Sequence, residues 1–112
     1  MNDEIKAKWV AALRSGEFKQ GHGGLRDGDR FCCLGVLCEI HRRIERGKRK
    51  WKKMDESPFK WYLDNYQVLP GVVQNWAGLE HENPATEQGA LAELNDDGLD
   101  FDSIADIIEA EL

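Results

Sequence analysis

The run Phe31-Cys32-Cys33-Leu34-Gly35-Val36-Leu37-Cys38 constrains the fold more than any other stretch, because it is the longest apolar segment and must be buried. Its length and β-branching do not separate strand from helix. The residues that follow do. Cys33, Leu37, Ile40 and Ile44 recur at spacings of four, three and four, the period of one helix face, and Asp29 ahead of them is placed as an N-cap. The pattern predicts a helix from about Arg30 to Arg46, enclosed nearly all round in its first half. Gly35 costs about 1 kcal/mol relative to Ala inside a helix, so its presence there predicts close approach of a neighbouring element.

Other segments supply material to surround such a pillar. Asn2 or Asp3 can cap a first helix whose stripe is Ile5, Trp9 and Leu13, with Val10 and Ala12 beside it and Gly16 placed to stop it. Four glycines between Gly21 and Gly28 forbid a regular helix and predict a loop or a short irregular hairpin. Phe59 to Leu63 is aromatic-rich and predicts a short strand, pairing near Trp51 or near Tyr66–Leu69. Leu69 to Gly78 reads as a short helix opened by Pro70 and closed by Gly78, with Val72, Val73 and Trp76 inward. Thr86 is placed to cap a further helix carrying Leu91 and Leu94. Asp100 caps a last one whose stripe is Phe101, Ile104, Ala105, Ile108 and Leu112. The expected fold class is α+β: a mostly helical, single compact domain over residues 1–112, with a small hairpin or sheet.

A chain of 112 residues suits one core. No apolar run approaches the ~20 residues needed to cross a bilayer, and the polar stretch Met1 to Lys8 lacks a signal-peptide core. A soluble cytoplasmic protein without a membrane role is expected. The three cysteines, Cys32, Cys33 and Cys38, are odd in number and clustered, which reads as reduced thiols and not as a disulfide framework. The net charge of −6 conceals a division. Residues 1–60 hold all 15 Lys and Arg against 9 acids, whereas residues 61–112 hold 12 acids and no Lys or Arg. Either the two halves attract one another in the folded chain, or each charged face serves a partner.

One frame runs through the whole chain: Gln20-Gly21 and Leu25-Arg26, the cysteine run, Leu69-Pro70 with Trp76, Leu94-Asn95-Asp96, and Ile104-Ala105-Asp106. It resembles a group of small uncharacterised proteins common in bacteriophage and prophage genomes. The cysteine run and the Leu-Asn-Asp segment are the most specific parts of the likeness. The resemblance implies a setting, an accessory protein made inside an infected bacterium, and no catalytic residues.

Four stretches are candidate sites. The loop Gln20, Gly21, His22, Gly23, Gly24 with Arg26 and Arg30 could cradle a phosphate, since glycine amides and a helix N-terminus attract anions. Its spacing matches neither a Walker loop nor a dinucleotide fingerprint, and Asp27 and Asp29 oppose an anion, so the plainer reading is a turn before a capped helix. Cys32 or Cys33 near a helix N-terminus, with His22 as base and Asp27 or Asp29 orienting it, is the pattern of a thiol nucleophile, although an apolar setting raises a thiol pKa. Cys38 and His41 make at most half of a zinc site. The segment Glu93 to Ile104 fails as a calcium loop because Ile104 stands where a bidentate Glu is needed. Neither supports a metal or other cofactor. The basic run Arg42 to Lys53, interrupted by Trp51, could hold phosphates and stack a base, but a sequence pI near 5.0 speaks against a dedicated nucleic-acid binder. The acidic half could imitate nucleic acid toward a basic protein. The leading expectation is a non-enzymatic, phage-type accessory protein that binds a host defence or regulatory protein. The alternatives are sequestration of a nucleotide-like or other phosphate-bearing ligand at the glycine-rich loop, and a small thiol-dependent enzyme.

Overall fold

A computed structural model describes residues 1–45 and 49–112. The cysteine run becomes helix α2 (Cys33–Glu45), and every residue from Phe31 to His41 is buried. This helix begins three residues later than the spacing predicts. Arg30 and Phe31 are instead strand β3 (Arg30–Phe31), paired antiparallel with β2 (Arg26–Asp27) through a turn at Gly28, whose φ is +61°. Asp29 therefore sits in a hairpin turn and caps nothing. The expected end of the helix at Arg46 lies outside the described residues.

Gly35 is required by geometry. A Cβ there would stand 1.8 Å from the carbonyl oxygen of Leu25, so α2 meets the chain entering β2 with no room for a side chain.

α1 (Asp3–Arg14) lies against α2, and α5 (Phe101–Glu111) packs along α1. The caps form as their sequences predict. Asn2 Oδ1 accepts from Ile5 N–H at 2.9 Å, and Asp100 Oδ1 accepts from Ser103 N–H at 2.8 Å. The stripes Ile5, Trp9, Leu13 and Phe101, Ile104, Ile108 are buried against one another and against α2. Trp9 also donates its indole N–H to Cys33 O at 2.9 Å, tying α1 to the start of α2.

β1 (Lys19–Gln20), β4 (Trp51–Lys53) and β5 (Phe59–Tyr62) complete a mixed sheet in the order β1-β3-β2-β5-β4. β5 pairs with β4, one of the two expected partners, and also with β2. Because side chains alternate across a strand, Arg26, Lys60, Tyr62, Trp51 and Lys53 share the face toward α2. Asp27, Phe59, Trp61 and Lys52 share the other.

α3 (Gly71–Ala77) is closed by Gly78 at φ +72°. Its inward residues are Val73 and Ala77; Val72 is 51% exposed, so the expected trio holds only in part. Thr86 caps no helix. It belongs to a hairpin of β6 (Ala85–Thr86) and β7 (Gly89–Ala90), where its hydroxyl donates to Gly89 O at 2.7 Å. α4 (Leu91–Asp96) follows without a side-chain cap. The architecture is α+β, a compact domain of helices with a small sheet and a hairpin. Among the described residues no helix is long and apolar enough to cross a membrane.

Candidate functional site

The glycine-rich loop is held from within the fold. Gly21 N–H donates to Phe31 O at 2.7 Å, Leu25 N–H to Tyr66 O at 2.6 Å, Gly28 N–H to Pro58 O at 3.0 Å, and Gly23 N–H to the Asp96 carboxylate at 3.0 Å. A carboxylate thus occupies the place where an anion would approach Gly23. Gly24 is glycine because a Cβ would lie 2.8 Å from the Phe59 ring and 3.0 Å from Tyr66 O.

The N-terminus of α2 is closed in the same way. Asn95, fully buried, accepts on Oδ1 from Cys33 N–H at 3.1 Å and from the Gln20 amide at 3.0 Å. Its Nδ2 donates to Gly21 O at 2.8 Å. Gln20 donates further to Leu99 O at 2.8 Å. One side chain of α4 therefore joins β1, the glycine loop and α2. Of the loop residues singled out in the sequence, Gln20, Gly21 and Gly23 are used in these bonds and Gly24 in packing. His22 and Arg30 are exposed.

Gly23 and Gly24 line a smaller hollow with Cys32 and Asp96, Gln20 lines another beside Phe18, and Arg26 faces a third, cationic recess. A cavity of about 530 Å³ opens between α2 and the near face of the sheet, lined by Arg26, Arg42, Arg43, Lys50 and Lys60, by the rings of Phe18, Phe31 and Trp51, and by Glu17 and Glu39. The Arg26 guanidinium lies 4.8 Å from the centre of the Phe31 ring and 5.5 Å from that of Trp51, a cation–π arrangement that fixes its plane. Its Nε donates to Gly28 O at 2.8 Å, and among the described residues its terminal nitrogens make no hydrogen bond or ion pair.

Glu39 organises the helix side. Oε1 accepts from Arg42 Nε at 2.7 Å and from the Trp51 indole at 3.0 Å; Oε2 accepts from Arg42 at 2.7 Å and from Arg43 Nε at 2.8 Å. Burial alone would raise this carboxyl, but the donors Arg42, Trp51 and Arg43 outweigh it and bring the pKa down to about 2. Arg43 also reaches Glu17 at 2.6 Å and lies over the Phe18 ring at 5.3 Å. Both carboxylates of the recess are thus engaged by arginines of α2. Among the described residues no carboxylate stands within ion-pair distance of Arg26, Lys50 or Lys60.

In register, Lys53 stands opposite Lys60 and Lys60 opposite Arg26, so three like charges cross three adjacent strands on one face. Directly opposed like charges destabilise a sheet. Sequence reading missed Glu39 and Lys60 as site residues. The signal for Glu39 was there: a lone acid in a buried run, three and four residues before two arginines. Lys60 has no such signal, because only the pairing of β5 with β2 brings it to Arg26.

The thiols lie elsewhere, sealed in the core. Burial pushes Cys32 up to about 12 and raises Cys33 and Cys38 well above the ordinary thiol value, the reverse of what a thiolate nucleophile needs. His41 is engaged by Tyr62, Nδ1 and the hydroxyl sharing a 2.6 Å hydrogen bond, and its ring stands edge-on to Trp76. Among the described residues no three His, Cys, Asp or Glu converge on a metal position. The run Arg42 to Lys53 divides. Arg42, Arg43, Lys50 and Trp51 line the recess, Lys52 and Lys53 lie on the edge strand, and residues 46–48 are outside the described residues.

Fold and recess together define a small α+β protein with a cationic, aromatic hollow on one face of its sheet. The chain belongs to the family described as a domain of unknown function (DUF8296), whose model matches residues 1–112. No curated protein and no solved structure matches it.

Proposed function

We propose that this protein acts by binding and not by catalysis, and that the recess between α2 and the sheet takes a phosphate-bearing ligand. One observation carries the reading. Arg26 and Lys60 face each other across paired strands beside three rings, with no carboxylate in ion-pair reach among the described residues. Unpaired like charges in a concave, partly aromatic site are stabilised by an anion, and planar guanidinium groups favour phosphate oxygens. The volume, about 530 Å³, falls within the range of roughly 300–1,000 Å³ usual for small-ligand pockets. The resemblance to phage proteins supplies a setting, an accessory protein in the bacterial cytoplasm that holds such a ligand away from host machinery. The anion site is placed in the recess and not in the glycine loop, because the amides of Gly21, Gly23, Leu25 and Gly28 already have partners.

A second reading, contact with a basic host protein, is favoured by the exposed carboxylates Asp97 and Asp102, which have no cation within ion-pair reach among the described residues. Its test is whether a basic protein recovered from host lysate is released when both are changed to Asn.

The primary reading is tested by thermal shift with adenosine 5′-diphosphate and pyrophosphate at low ionic strength. A ligand at one hundred times its Kd adds about 2.7 kcal/mol, and each kcal/mol raises Tm by roughly 4–8 °C in a domain near this size. The expected result at that saturation is a rise of roughly 10 °C or more, which Arg26→Met abolishes. No rise with either compound at millimolar concentration overturns it.

A further inference from the structure

We infer that the anion for which the recess is built is the backbone of single-stranded nucleic acid, with its bases carried over the edge of the sheet onto the aromatic far face; the inference rests on the recess reading and deepens it. The cation row does not end in the hollow. It runs from Arg26 on β2 through Lys60 on β5 to Lys53 on β4, the outermost strand. Neighbouring strands lie about 4.8 Å apart, so the row spans on the order of 10 Å and leads from a concave floor to an open edge. A single phosphate is satisfied by the inner pair alone. A row of this length fits consecutive phosphates.

The far side of the same edge carries the complementary feature. Lys52, whose side chain alternates with that of Lys53, stands opposite Trp61. Trp61 and Tyr66 have ring centres 5.1 Å apart at 33°, and Phe59 and Tyr66 have centres 6.1 Å apart at 39°. The three half-buried rings form one strip, and the glycines Gly23 and Gly24 make the bed on which Phe59 lies. Bases of any sequence stack on such rings, which is how single strands are held without sequence readout. β4 thus presents cations to both faces, with a phosphate-sized hollow on one and a stacking surface on the other. Lysine on an edge strand also prevents sheet-to-sheet pairing, but that role does not require Lys60 on an inner strand or Arg26 beyond it. Among the described residues no carboxylate of either half stands within ion-pair distance of Arg26, Lys60 or Lys53. Glu17 and Glu39 are bound by α2 arginines, and Asp27 stands at the far end of the aromatic face, opposite Phe59.

The experiment is fluorescence anisotropy with a labelled single-stranded oligodeoxythymidine octamer, competed by adenosine 5′-diphosphate, by a duplex of equal length and by linear polyphosphate of equal charge. The expected order is octamer at least tenfold tighter than each competitor. The affinity should fall with salt at a slope near −2, about −0.7 per phosphate neutralised over three cations. Lys53→Met should reduce that slope by about 0.7. Trp61→Leu should weaken the octamer about tenfold and leave the diphosphate unchanged. If the diphosphate binds as tightly as the octamer, or polyphosphate equals it, this inference is overturned while the recess reading stands. If neither octamer nor diphosphate binds, both fall. Should Trp61→Leu fail to fold, Lys53→Met with its salt slope decides the matter.

Discussion

The glycine-rich loop and the basic recess flank the same short strand, β2, and treat their polar groups in opposite ways. In the loop the amides of Gly21, Gly23, Leu25 and Gly28 donate inside the protein, and Asn95 binds three separate segments. In the recess the helix side is equally closed, with four hydrogen bonds converging on Glu39, but the sheet side leaves Arg26 and Lys60 face to face without a counter-charge among the described residues. A region whose amides are turned inward to partners in this way holds the fold together. A region that retains repulsion inside an otherwise satisfied structure has room for something else to bind. The contrast separates the two by chemistry, although their glycines and cations look equally suggestive in the sequence.

Four substitutions or conditions press on that contrast. The largest effect belongs to Gly35→Ala. The added methyl overlaps the Leu25 carbonyl at 1.8 Å, and neither backbone can yield without separating α2 from β2. Loss of the cooperative melting transition by circular dichroism is expected, and a transition within a few degrees of the parent would refute the packing described.

Asn95→Ala comes next. It strands Cys33 N–H and Gly21 O in a buried site and leaves the Gln20 amide with Leu99 O alone, and each unsatisfied buried group costs about 1–3 kcal/mol. Urea unfolding should show a loss of about 3 kcal/mol, whereas affinity for a diphosphate, measured well below the melting temperature, should stay within about twofold. A large fall in affinity with little loss of stability would return the site to the glycine loop.

Acid acts through Glu39. Its carboxyl titrates near 2 in the folded chain, below the ordinary 4.5, so the unfolded state binds the extra proton between these values. The associated stability is complete above about pH 4.5 and is lost as the pH falls toward 2, on the order of 3 kcal/mol at most. His41, held below its usual 6.5 by burial and by the charge of Arg49, adds a loss of the same sign, beginning as the pH drops through 6.5. Glu39→Gln should flatten the acid limb of a pH–stability profile below pH 4.5. An unchanged limb would mean that Glu39 is not the anchor described.

Much of this was legible in the chain. The 4-3-4 spacing placed the buried helix, and the two N-caps at Asn2 and Asp100 placed α1 and α5, because helix periodicity and capping are local. Strands of two residues carry no periodicity, so Arg30–Phe31 reads as the head of a helix, and the Thr86 hairpin reads as a cap. The Leu-Asn-Asp segment stood out in the sequence without a reason; Asn95, joining segments 62 to 75 residues away, supplies one. The recess was half visible, since Arg42, Arg43 and Trp51 sit in one basic run. Arg26 and Lys60 meet only through pairing between strands distant in sequence, which no local pattern encodes.

The smallest stability effect gives the most direct test. Lys60→Met removes the middle charge of the row and keeps the length of the side chain. It should leave the protein as stable as the parent or raise its stability by about 0.5 kcal/mol, the scale of opposed like charges in a sheet, while weakening adenosine 5′-diphosphate at least tenfold by calorimetric titration at low salt. That pairing of unchanged or improved stability with lost affinity marks a charge kept for a ligand. A variant that binds the diphosphate as the parent does would contradict the account, whatever happens to its melting temperature.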